Sequence, residues 1–185
     1  MHLSQRSYIN SILWCYHLDD LKPLSTPMDT QIRLSSEQSP KSAAKFAAMR
    51  DVPYREAIGA LNWAALSTHP DIAFAISTVA WFAAEPGPAH WEAVKRIFRY
   101  LAGTRELWLS YGETRRTLEG YADADGSMAE DRHTITGYTF LIDGGTISWS
   151  SKRQEIVFLS TTESKLVAAT HVMKEALHWC GLLLS

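Results

Sequence analysis

Up to about residue 106 the apolar positions recur at helical spacing, and beyond it they follow the period of strands until one last helical pattern. Residues 3–18 carry Leu3, Ile9, Ile12, Leu13 and Tyr16, which predicts a short helix or a helix plus a strand. The two prolines of "KPLSTPMDT" then break regular structure. Residues 29–52, rich in Ser, Gln, Lys and Ala, read as a linker ending at Pro53. Three helices are expected next. Residues 53–68 set Ile58, Leu61 and Ala65 on one face, and residues 69–85 open on Pro70 and Asp71 and stop at "PGP". Residues 88–103 space Trp91, Val94, Ile97, Phe98 and Leu101 for a buried face.

"LWLSYG" and "TLEGYADAD" read as strands, and residues 134–151 as a hairpin, because Asp143-Gly144-Gly145 separates two strand-like runs. "EIVFLS" is a short extended piece. Residues 161–184 form a long amphipathic helix with Leu166, Ala169, Met173, Leu177, Cys180 and Leu184 expected on its buried side. The pattern predicts an α+β chain.

Composition narrows the class without naming a function. The chain has 46% hydrophobic and 21% charged residues, a globular balance. Its net charge of −2 argues against a generally basic coat for nucleic acid but leaves room for a local basic surface. Cys15 and Cys180 stand far apart with no metal-type spacing, which fits a reduced protein in the cytoplasm, with the nucleus as a second location. Polar residues interrupt every apolar run near the start, so no signal peptide and no membrane partner are expected.

The chemistry gathers around "GYADAD". Asp123 ends a strand and Glu163 opens a helix, 40 positions later, with a hairpin between them that can fold the chain back. Mg²⁺ takes oxygen ligands, commonly one or two carboxylates with substrate phosphates. Two such ions about 3.5–4 Å apart serve phosphodiester cleavage. A plainer alternative stands beside this. "STTE" from Ser160 to Glu163 is also a capping box, and Asp123, Asp125 and Asp131 can simply solvate a loop. Residues 88–116 hold six positive against three negative side chains, a stripe able to touch phosphates without reading sequence. Its bland counterpart is a solvated helix face with a Glu92–Arg96 pair.

"LSQRSYINSIL", "KPLSTPM", "PYREAIGALNWAALSTHPDIAFAIS", "AHWEAVKRIFRYLAGT", "GYADAD", "DRHTITGYTFLIDGGTISWSSKRQ" and "LSTTES" occur in this order and spacing. Together they resemble the Pol polyprotein of copia-type retrotransposons where reverse transcriptase meets ribonuclease H. The resemblance implies a catalytic and metal-binding role for Asp123 and Glu163, Mg²⁺ or Mn²⁺ as cofactor, and cleavage of the RNA strand of an RNA–DNA hybrid; Asp125 is a further candidate metal ligand beside them. It implies three parts: residues 1–52 as the end of the palm and a linker, 53–116 as a helical thumb or connection, and 117–185 as the first half of a ribonuclease H-like fold, three antiparallel strands plus one long helix. By the same resemblance Lys95, Arg96, Arg99, Arg105, Arg132 and His133 are candidates to contact a hybrid or primer–template.

Three departures temper the activity it implies. The polymerase aspartates of the family fall upstream of Met1, and "HLDD" at 17–20 reads as a surface turn. The family pattern continues past the long helix to later carboxylates that this sequence, ending at Ser185, does not include, which leaves a helix face and a sheet edge uncovered. Gly126 and Lys165 stand where the family shows tryptophan and glutamate. The expectation is a fragment inactive alone. Its alternatives are a hybrid ribonuclease completed by other Pol segments or by Asp125 or Asp131, and a module that binds nucleic acid or protein.

Overall fold

A computed structural model describes residues 1–29, 31–112, 117–125, 135–154 and 161–184, the side chains of Asp125, Thr161 and Leu184 excepted. The chain is α+β, and its contacts divide it into two compact units. One is Leu3–Trp108; the other joins Met1–His2 to Leu109–Ser185.

The first unit is helical. Its elements are α1 (Arg6–Cys15), α2 (Ala43–Met49), α3 (Tyr54–Ser67), α4 (Ala73–Ala80) and α5 (Pro88–Thr104). The expected apolar faces converge, for α1, α3, α4 and α5 pack on one another around Ile9, Leu13, Leu61, Ile76, Ile97 and Phe98. Each such side chain taken out of water contributes about 1.5–3 kcal/mol. Residues on both sides of position 52 share this core. Two tyrosines join the helices by hydroxyls that find backbone acceptors: Tyr8 donates to Ala60 O at 3.0 Å and Tyr54 to Val79 O at 2.8 Å.

Helix α1 ends in a Schellman motif. His17 takes the left-handed conformation (φ 55°), its N–H bonds Trp14 O, and Leu18 N–H reaches back to Leu13 O at 2.9 Å. Asp19 and Asp20 follow in an exposed turn.

Two expectations need correction here. The presumed linker contains α2, begun by Ser42, whose hydroxyl accepts from Lys45 N at 3.4 Å. The helix expected over 69–85 is instead a 3-10 turn, Pro70–Ile72, running into a shorter α4. Beyond Ala80 the bonds tighten to three-residue spacing, Phe82 N to Val79 O and Ala83 N to Ala80 O, and Phe82 leaves the helix to stack on His90. Aromatic packing ends the helix before proline does.

The chain opens on the two-residue β1 (His2–Leu3), and in the second unit β2 (Leu109–Ser110) is followed by β3 (Leu118–Asp125), β4 (Ile135–Ile142), β5 (Gly145–Arg153) and α6 (Thr161–Leu184). Tyr111 N donates to Met1 O at 2.8 Å, and the Tyr111 hydroxyl donates to Thr146 O at 2.6 Å. Strands β3, β4 and β5 form an antiparallel sheet in that order. The hairpin turn is Asp143-Gly144, both residues at positive φ (52° and 75°), the type I′ geometry that suits strand twist. "EIVFLS" lies outside the described residues, as do 113–116 and 126–134.

Helix α6 rests on β3 and β4, though not with the expected face. Leu166, Met173 and Leu177 are 64%, 65% and 71% exposed, and Cys180 is exposed too. The buried side is turned around the helix, with Ser164 and Ala168 against the sheet. Small and polar side chains let the helix approach, and the bulky apolar stripe is left in water. Among the described residues no helix is long and apolar enough to cross a membrane.

Candidate functional site

Strand alternation fixes where Asp123 points. Gly120 pairs with Phe140 and Phe140 with Ser148, so these share one sheet face with Ala122 and Ala124. That face meets α6. Ser148 Oγ donates to Glu175 Oε1 at 2.8 Å, and Gln154 Nε2 donates both to Ser164 O at 3.2 Å and to Thr136 Oγ1 at 2.5 Å. Asp123 therefore belongs to the opposite face. Its carboxylate is exposed at the sheet edge, and its Oδ1 accepts the next backbone N–H, of Ala124, at 2.8 Å.

Glu163 is exposed in the first turn of α6. That turn lies at the same end of the sheet as Asp123, because Gln154 ties Ser164 to Thr136, the cross-strand partner of Ala124. The fold thus brings the two carboxylates to one end of the sheet, on touching elements, with Asp123 on the face away from the helix. The Asp125 side chain, Asp131 and the capping Ser160 lie outside the described residues. Among the described residues no group of three or more His, Cys, Asp and Glu side chains forms a metal-holding cluster.

The cationic candidates of α5 have partners of their own. Arg96 gives Nη2–H to Thr26 Oγ1 at 2.9 Å and Nη1–H to Asp29 Oδ2 at 3.3 Å. Arg99 Nε donates to Lys22 O at 2.8 Å, and Leu24 N returns a bond to Arg99 O at 3.3 Å. Arg105 bonds Ala102 O and reaches Asn10 Oδ1 at 3.4 Å. The expected Glu92–Arg96 pair is replaced by Glu92–Lys95 at 2.5 Å. Arg96 has turned to Asp29 instead. Arg96 and Arg99 therefore hold "KPLSTPMD" across the helix. A partner 67 residues away leaves no local pattern in the sequence, which is why periodicity missed it. Arg115, Arg116, Arg132 and His133 lie outside the described residues.

No family model and no solved structure matches the chain. Named relatives do. The retrovirus-related Pol polyprotein from transposon TNT 1-94 of Nicotiana tabacum is 44% identical over 174 residues, covering 94% of this chain and 13% of that protein. The retrovirus-related Pol polyprotein from transposon RE1 of Arabidopsis thaliana is 36% identical over 186 residues, 99% of this chain and 12% of its own length. A protein named secreted RxLR effector protein 161, from Plasmopara viticola, is 40% identical over 130 residues, 69% of this chain and 92% of that protein. The chain spans about an eighth of the Pol polyproteins it matches. Over nearly its whole length this chain is homologous to a segment of the retrovirus-related Pol polyproteins of transposons.

Proposed function

We propose that this chain is the part of a copia-type Pol polyprotein that joins the end of reverse transcriptase to the first half of a ribonuclease H-like domain. In this reading Asp123 and Glu163 belong to a site that cuts the RNA strand of an RNA–DNA hybrid, and the segment is inactive alone. One observation carries the reading: β3 and the first turn of α6 set two exposed carboxylates at one end of a sheet. The donor set is oxygen only and faces water, which suits a hard divalent ion. Asp123 and Glu163 would hold Mg²⁺ or Mn²⁺, with Asp125 adjoining. When bound, such an ion activates water and stabilises the leaving oxygen of a phosphodiester. The carboxylates would supply the negative charge that attracts such an ion. Glu163 stands in the first turn of α6, at the positive end of the helix.

Hybrid contact through Lys95, Arg96, Arg99 and Arg105 is part of the same reading. Each phosphate contact would exchange an internal hydrogen bond for a new one, so it gains less than a free side chain would. The test is cleavage of a labelled RNA–DNA hybrid in Mg²⁺ and in Mn²⁺. The chain alone should leave it intact. A chimera carrying this segment in place of the matching part of the tobacco polyprotein should cut it. Asp123→Asn and Glu163→Gln should each slow that cut by about a hundredfold or more, as losses of groups acting as a unit do. Cleavage by the chain alone, or an unimpaired double variant, would sink the proposal.

A further inference from the structure

A cleft of about 590 Å³ separates the 21–34 segment from α5. This is the size of cavity that small-molecule sites occupy. Leu21, Leu24, Met28, Ile32, Leu34 and Ala93 give it an apolar wall. Leu21 and Ile32 stand 38% and 56% exposed on that wall, apolar surface that a ligand would take out of water. Lys95, Arg96 and Arg99 line the same cleft, against two carboxylates, those of Asp29 and Glu92. The charge of the lining is therefore positive. Arg96 adds a second feature: with its outer nitrogens on Thr26 and Asp29, its buried Nε has no acceptor among the described residues. The cations Lys95 and Arg96 beside an apolar wall are suited to an acidic head on a greasy body.

We infer that this cleft binds a small amphipathic anion, its apolar body on the Leu21–Leu34 wall and its single carboxylate, sulfonate or phosphate head at Lys95 and Arg96. A polynucleotide would gain nothing from the apolar wall. A cationic amphiphile would meet the wrong charge. The site lies wholly within Leu3–Trp108 and does not depend on Asp123, Glu163 or hybrid cleavage.

The probes are decanoate, decanol and decyltrimethylammonium, titrated into the full chain and followed by calorimetry and by the methyl resonances of Met28 and Ile32. Decanoate should bind saturably and about tenfold tighter than decanol, the step that one charge-assisted contact gives. Decyltrimethylammonium should be weaker still. Lys95→Met should remove the decanoate advantage and leave decanol unchanged, since the apolar stem is kept. Ile32→Asp should abolish binding of decanoate with helical dichroism retained. Equal affinity for the three head groups, no effect of Lys95→Met, or silent Met28 and Ile32 methyls would each overturn the site. The methyl resonances of the unaltered chain decide the matter even where Ile32→Asp fails to fold.

Discussion

His90 is completely buried, and each of its ring nitrogens has a defined role. Nδ1 accepts the Gly87 N–H at 2.9 Å, closing the first turn of α5, so the proton sits on Nε2, which donates to Ser35 O at 3.1 Å. The ring stacks on Phe82 with centroids 4.0 Å apart. A second proton would have to enter at Nδ1, against the N–H it now accepts. Gly87 is equally constrained, for a Cβ there would lie 2.0 Å from Gln38 O. His69 is a parallel case. The Thr68 hydroxyl donates to Gln5 at 2.8 Å and so accepts from His69 Nδ1, which leaves Nε2 buried with no partner among the described residues. Burial lowers the pKa of both rings; the Ser35 carbonyl opposes it at His90, and Asp71 at His69. The unfolded chain therefore binds more protons than the folded one below the ordinary histidine value near 6.5. Stability should be complete above that pH and fall as pH drops through and below it, by up to about 1.4 kcal/mol per unit for each ring. Urea unfolding at about pH 7.5 and 5.5 measures this, and His90→Gln should lessen the slope. An unchanged slope in His90→Gln would assign the acid sensitivity elsewhere.

At the scale of elements, α6 shows how a correct helix can be assigned the wrong face. Its sequence carries two candidate stripes, one bulky and apolar, the other small and polar. The three-strand sheet accepts the second, since Phe140 and Tyr138 already fill the face that the helix covers and leave room for Ser164 and Ala168. The exposed stripe has a consequence. Replacing Leu166, Met173 and Leu177 together by glutamate or lysine should reduce self-association and raise soluble yield. Helical dichroism should stay unchanged, because none of the three is buried. Sedimentation velocity and dichroism check it, and a loss of helix would show that the stripe is a packing face after all.

For the molecule as a whole, the buried cluster from Ile9 to Ala102 lies inside the helical unit, so this unit should fold without the rest. A fragment of residues 3–108 is expected to melt cooperatively, within the roughly 4–8 °C that a change of about 1 kcal/mol causes in a domain of this size. A molten fragment would mean that the core needs the second unit. Local physics was enough to read two of the helices that build this core and the hairpin of the sheet. Helical spacing marked α3 and α5, and Asp143-Gly144-Gly145 marked the hairpin, because these signals act within a few residues. The carboxylates Asp123 and Glu163 could be named from local context and resemblance, and the end of the sheet they share required the fold. What sequence could not show was every choice made between distant partners: Arg96 taking Asp29 over Glu92, Phe82 leaving its helix for His90, and α6 turning its small residues to the sheet. Those choices compare contact energies between elements, and only the assembled packing decides them.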